Sequence, residues 1–191
     1  MRCLMCENLS LSHICNNCQN KFLSPSIYKR KILNNIEVIS FYKYSDIKDL
    51  LHTKHTDLGY YVYSILAKNS LKKFAAAFDY PGIVTSIAID DYVQNGYSHT
   101  AILNKSLKSK SIKPFFNKLR AKNKISYSGK SREFRILNSR DFELKKFKEK
   151  ELILVDDIVT TGSTFTQAVQ IMQKNQKKVL FCLALADAST K

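Results

Sequence analysis

Residues 151–166 read Glu-Leu-Ile-Leu-Val-Asp-Asp-Ile-Val-Thr-Thr-Gly-Ser-Thr-Phe-Thr, an acidic pair followed by hydroxyl residues around one glycine. The carboxylates of Asp156 and Asp157 can accept hydrogen bonds from the vicinal hydroxyls of a ribose. Thr160, Thr161, Gly162, Ser163 and Thr164 form a tight turn whose hydroxyls and backbone N–H groups can surround a phosphate. Gly162 lets the backbone approach a ligand with no Cβ in the way. The helix that follows adds partial positive charge at its N-terminus. A sugar diol at one end and a phosphate at the other describe a ribose 5-phosphate. Helix capping would account for one Asp or one Thr, but not for the whole run.

A second constellation opens the chain. Cys3-x-x-Cys6 and Cys15-x-x-Cys18 are separated by eight residues. Two such pairs can close a tetrahedron of thiolates around zinc, and four thiolates leave no open position, so the expected role is structural. Two disulfides or an iron–sulfur cluster are the alternatives. His13 lies between the pairs and is expected near the surface or behind the ligands. Cys182 stands in an apolar strand and is expected in the core.

The elements around these residues alternate. Ile36–Tyr42 has the β-branched and aromatic content of a strand. Leu58–Phe74 spaces its apolar residues as one helix, and Gly82–Ile89 reads as a buried strand. Tyr97–Leu107 reads as a helix. Leu152–Val155 is wholly apolar, as a central parallel strand covered on both faces must be. Phe165, Ala168, Val169 and Met172 mark one helical face, and Val179–Ala184 is the next buried strand. The pattern predicts an α/β fold with a largely parallel sheet flanked by helices, and ligands beyond the strands' carboxyl ends. The expected division is a four-cysteine knuckle at 1–28 and one domain at 29–191.

The formal net charge is +15, and it is uneven. Residues 105–150 hold 16 of the 31 Lys and Arg but only 4 of the 16 Asp and Glu. Such a segment favours polyanions. Phe115, Phe116, Tyr127, Phe134 and Phe142 interleave with its cations, as in surfaces that stack bases while tracking phosphates. Lys118, Arg120, Lys122, Lys124, Lys130, Arg132 and Arg135 are therefore the candidate contacts for single-stranded DNA. No run of 18 apolar residues occurs, so no membrane span is expected. The first residues do not read as a secretory signal, and a cytoplasmic location is expected.

Leu152–Thr164 resembles, position by position, the signature of type I phosphoribosyltransferases. With the cysteine knuckle in front, the chain resembles the ComF family of competence proteins. Lys54, Gly96-Tyr97-Ser98-His99 and the basic stretch Leu119–Arg135 are similar to that family in part. Asn95 stands where the family commonly has arginine, and Ala88 and Ile89 where it has prolines. The resemblance implies a type I phosphoribosyltransferase-like fold and binding of phosphoribosyl pyrophosphate. It implies that Asp156 and Asp157 hold the ribose and that Thr160–Thr164 hold the 5-phosphate. The stretch ending in Asp90 and Asp91 would meet the pyrophosphate with its magnesium. It further implies a part in natural transformation, handling incoming single-stranded DNA on the cytoplasmic side of the inner membrane, alongside competence-machinery proteins. The alternative is an active phosphoribosyltransferase with an unknown nitrogen acceptor, in which Arg120, Lys122, Lys124 and Lys130 form a mobile loop over the donor.

Overall fold

The computed structural model describes residues 1–90, 97–122 and 141–189. Among these lie the strands β1 (Tyr28–Ile32), β2 (Ile36–Lys43), β3 (Val84–Asp90), β4 (Ile112–Ala121), β5 (Phe142–Leu144), β6 (Glu151–Val159) and β7 (Lys178–Asp187). The helices are α1 (Asn16–Phe22), α2 (Tyr44–His52), α3 (Asp57–Asn69), α4 (Leu71–Ala77), α5 (His99–Ser106) and α6 (Ser163–Lys174). One sheet has the order β1-β2-β7-β6-β3-β4-β5. Its central strands are parallel, and short antiparallel strands β1 and β5 close its two margins. The predicted α/β class, with a largely parallel sheet between helices, is the architecture found.

The period-2 alternation of β6 builds both cores. Ile153 and Val155 join Leu51, Val62, Leu66 and Leu103 on one face, under α2, α3 and α5. Leu152 and Leu154 join Phe165, Ala168, Val169 and Met172 on the other, under α6. Cys182 is fully buried in this second cluster, as its strand predicted. From β3 the chain winds outward to β4, and from β6 it winds the opposite way to β7. The crevice between the carboxyl ends of β3 and β6 is therefore the topological switch point, where open α/β sheets take ligands.

Two elements differ from the sequence reading. The predicted helix at 58–74 is two helices, broken at Ser70 (φ −117°, ψ −83°). The Ser70 hydroxyl donates to the Leu66 carbonyl at 2.7 Å, a local bond that competes with the helix ladder. The ten-residue strand β4 lies inside the basic segment, where no strand was expected. Its register against β3 shifts between Ile87 and Ile89, and Asn117 sits at φ 54°, so its alternation is scrambled.

Cys3, Ile14, Cys18 and Leu23 belong to the same apolar cluster as Leu51, Leu66 and Leu71. Asn69 of α3 donates to Gln19 at 3.0 Å, and His13 stacks on Tyr61 of α3 with ring centroids 4.2 Å apart. The N-terminal segment is thus seated on α3. No helix among the described residues is long and apolar enough to cross a membrane.

Candidate functional site

Strand β6 delivers Asp156 and Asp157 to the switch-point crevice, both largely buried. The same alternation that splits the core sends the two carboxylates to opposite faces of the sheet. Asp156 is paired in register with Ala184, a member of the cluster under α6. Its Oδ1 accepts the Asp157 N–H at 2.8 Å. Asp157 turns toward α3 and α5. Its Oδ2 accepts from Lys54 Nζ at 3.0 Å and from Tyr63 Oη at 3.3 Å. His99 Nε2 lies 3.3 Å from the same oxygen, in ion-pair range but outside hydrogen-bond alignment. Burial alone would raise the Asp157 carboxyl, yet Lys54 and His99 outweigh it and hold the group well below the usual carboxylate range. Burial, with the Asp157 charge, pushes the Tyr63 hydroxyl well up, so it remains a donor.

Lys54 is held in place by its backbone. It lies in a single 3₁₀ turn, Thr53–His55, after α2. Tyr97 donates to the carbonyls of Lys54 (2.8 Å) and Thr56 (3.2 Å). Gly59 makes room for this clamp, because a Cβ there would lie 2.1 Å from the Tyr97 hydroxyl and 2.3 Å from the Thr53 carbonyl oxygen. The Tyr97-Ser98-His99 stretch thus reaches the site twice, through the Tyr97 clamp and the His99 ring. Lys54 was signalled by family resemblance alone. The convergence of Tyr63 and His99 on Asp157 had no sequence signal, since Tyr63 also fits the apolar stripe of its helix.

The hydroxyl turn follows β6 directly. Gly162 takes φ 82°, a left-handed conformation, and stands as N-cap of α6 with no side-chain cap bond. Thr161 Oγ1 accepts the Ser163 N–H at 3.3 Å and donates to Ser163 Oγ at 3.1 Å. Thr160, Ser163 and Thr164 are half-buried and Thr161 is exposed, so solvent reaches the bend. A Cβ on Gly162 would lie 2.9 Å from Ile32 Cγ2 of β1, a second reason for glycine here.

Asp90 ends β3 on the other side of the crevice. It accepts from Ser98 Oγ at 2.9 Å and Thr100 Oγ1 at 3.0 Å, and so ties β3 to the start of α5. Burial raises its carboxyl, and these hydroxyls offset part of the shift. Asp91 lies outside the described residues, as do Lys124, Lys130, Arg132 and Arg135.

The remaining candidate cations are spread along β4 and its end. Arg120 is paired in register with Asp90, at the crevice end of the sheet. Lys118 donates to the Lys146 carbonyl at 3.0 Å, and Lys122 lies 3.7 Å from Asp141. Two adjoining grooves, of about 730 and 590 Å³, run beside α5 and share Lys105, Lys108 and Phe116. Lys110 and Lys113 extend the first, and Tyr60, Lys72 and Tyr97 extend the second, with no acidic residue among the described residues of either wall.

At the N-terminus, the ligand atoms of Cys3, Cys6, Cys15 and Cys18 all lie within 4.8 Å of one another. Such spacing fits four sulfurs around one tetrahedral ion. The thiols respond unequally to this crowding. Burial raises Cys3, but backbone N–H groups, chiefly that of Cys15, bring it down to about 6. Burial and the neighbouring sulfurs push Cys18 up to about 12. Four sulfurs this close cannot all be thiolates without a cation among them. His13, turned onto Tyr61, is not one of the group.

A family model described as PRTase-CE matches residues 19–190. No curated protein matches the sequence. Among solved structures, an adenine phosphoribosyltransferase is 15% identical, with 89% of this chain and 88% of that one covered and a TM-score of 0.41. A hypoxanthine phosphoribosyltransferase from Staphylococcus aureus is 15% identical over 65% of this chain and 60% of its own, with a TM-score of 0.35. One from Trypanosoma cruzi is 17% identical over 65% and 62%, with a TM-score of 0.36. The chain therefore spans less than two thirds of either hypoxanthine enzyme. These likenesses are too loose to carry a residue role across.

Proposed function

The chain belongs to the PRTase-CE family, and from that membership we propose that it binds phosphoribosyl pyrophosphate with magnesium in the crevice between β3 and β6. The observation that carries this reading is the succession, at one strand end, of two buried carboxylates and a solvent-reached hydroxyl turn capped by left-handed Gly162. In it Asp156 and Asp157 grasp the ribose hydroxyls, with unequal shares. Asp156 lies on the α6 side with the turn, while Asp157 is already neutralised by Lys54. Thr160–Thr164 take the 5-phosphate. Asp90 and Asp91 belong to the pyrophosphate region and would help hold magnesium there, a hard cation that would supply charge neutralisation for the pyrophosphate. Calorimetry with the donor and magnesium tests this. Asp156→Ala is expected to weaken binding about ten- to hundredfold, the worth of lost charge-assisted hydrogen bonds. Unchanged affinity in the variant, or no heat from the parent chain, would remove the reading.

We also propose that the chain binds single-stranded DNA and acts in natural transformation as a ComF-type competence protein, on the cytoplasmic side of the inner membrane. The two lysine-lined grooves support this part. Phe116 and Tyr60 are each about half exposed there and offer flat faces to bases, while the lysines follow phosphates. With about four phosphates neutralised, the logarithmic salt slope should be about −3, a loss of roughly 60-fold between 50 and 200 mM salt. A fluorescence titration with an unstructured oligonucleotide checks this. Affinity indifferent to salt would exclude the groove as a phosphate track.

Active phosphoribosyl transfer to a nitrogen acceptor is the second reading. Lys54 favours it, because a cation at the crevice can help neutralise a departing pyrophosphate. A screen of acceptors for pyrophosphate release separates it from binding alone. In the knuckle, zinc is the ion proposed for the four cysteines, in a structural role.

A further inference from the structure

The hydroxyl turn has a neighbour that no motif includes. Arg30 projects from β1, and its Nη2 lies 3.6 Å from the position a Cβ on Gly162 would occupy. Nη1 donates to Ser189 Oγ at 3.0 Å. Nε stands 3.6 Å from Asp187 Oδ2, at the carboxyl end of β7, too far for a hydrogen bond. Asp187 Oδ1 already accepts the Ser189 N–H at 2.7 Å and its hydroxyl at 2.6 Å. Nε and Nη2 of Arg30 are closed off from solvent and have no hydrogen-bond acceptor. A guanidinium with two solvent-excluded nitrogens unsatisfied is costly unless some anion compensates it. Asp187 compensates it only in part. The uncompensated part of the charge lies beside the Gly162 backbone.

We propose that Arg30 is the resident counter-charge of the phosphate turn, a positioning residue that acts through the Gly162 backbone on a phosphomonoester seated at Thr160–Thr164. The proposal rests on the phosphoribosyl reading of that turn and deepens it. Edge strand β1, outside the β6–α6 unit, then supplies the site's charge, and Asp187 sets how much of it the ligand feels. In an interior of effective dielectric near 20, a full charge roughly 6 Å away changes a binding constant by about a hundredfold. Partial cancellation by Asp187 brings the expected effect to about ten- to hundredfold.

Binding of ribose 5-phosphate, without magnesium, is measured by calorimetry on the full chain and on Arg30→Met, Arg30→Lys and Asp187→Asn. Arg30→Met is expected to weaken binding about ten- to hundredfold. Arg30→Lys, which keeps the charge and loses the planar fork, should retain most of the affinity. Asp187→Asn should bind more tightly than the parent, because it unmasks the guanidinium. A pH series gives a readout that mere loosening would not move. The parent's affinity should rise as the phosphate takes its second charge near pH 6, and Arg30→Met should flatten that rise. If the parent binds ribose 5-phosphate and Arg30→Met binds it equally, the proposal fails alone. If Asp187→Asn or Arg30→Lys weakens binding as much as Arg30→Met, Arg30 is only a brace and the proposal fails. If the parent does not bind ribose 5-phosphate, the phosphoribosyl reading fails and takes this one with it. Should Arg30→Met not fold, the Arg30→Lys and Asp187→Asn results decide between charge and brace.

Discussion

Lys54→Met is expected to lower the stability of the folded chain by about 3 kcal/mol at neutral pH, the scale seen when one partner of a buried ion pair is removed. Lys54 and Asp157 are both mostly buried, at 16% and 10% side-chain exposure, so solvent screening is weak. Methionine retains the aliphatic stem and deletes the charge. Asp157 then faces Tyr63 and His99 with less than its present compensation, in a setting whose burial raises carboxyls. The pH dependence follows from the direction of the shift. Asp157 is held below its unfolded range, so its contribution is fully present above about pH 4 and is lost as pH falls through the folded value. In Lys54→Met the carboxyl titrates higher, so the variant should lose less stability on acidification than the parent, and the gap between the two should narrow as pH falls. Urea unfolding at neutral and mildly acidic pH checks both points. Equal stabilities within about 0.5 kcal/mol would show that the pair does little.

Cys18→Ser is expected to abolish binding of the zinc proposed for the knuckle and lower the thermal midpoint by about 10 °C. The reason lies in where the knuckle sits. Ile14 and Leu23 are fully buried in the cluster that also holds Leu51, Leu66 and Leu71. Exposing two such side chains costs about 3–6 kcal/mol, and each kcal/mol moves the midpoint of a domain this size by about 2–4 °C. Structural zinc sites are coupled to folding, so ligand loss propagates into the packing they organise. Metal analysis of the purified chain should give one zinc per molecule, absent from the variant. A chelator that strips the metal and leaves the midpoint unmoved would defeat this prediction. The effect should also reach the crevice, because α3 carries Tyr61 and Asn69 toward the knuckle and Tyr63 toward Asp157.

The β6–turn–α6 unit was legible because its chemistry is local. Four apolar residues, two carboxylates and a hydroxyl-rich bend follow one another, and α6 shows an unbroken face from Phe165 to Met172. What the sequence could not convey is long-range. Lys54, Tyr63 and His99 all lie far from Asp157 along the chain, and only the folded sheet brings them to one of its oxygens. The opposite facing of Asp156 and Asp157 is implicit in any strand, yet it matters only once helices cover both faces. Strand β4 was hidden because Asn117 interrupts the alternation that would have revealed it. The break at Ser70 was hidden for the converse reason, since the apolar spacing runs on across it. Arg30 lies in a run of three consecutive cations, Lys29-Arg30-Lys31, and nothing in that run singles it out until Gly162 is found beside it.

The two marginal strands carry a last consequence. Open sheet borders present unpaired backbone groups that invite another chain to add a strand. Here one border is β1, five residues long with Lys29 and Lys31 exposed, and the other is β5, only three residues long. Short length at one side and repelling ammonium groups at the other make lateral recruitment of a foreign strand unfavourable. The basic stripe on β1 thus guards against aggregation while its middle cation turns inward.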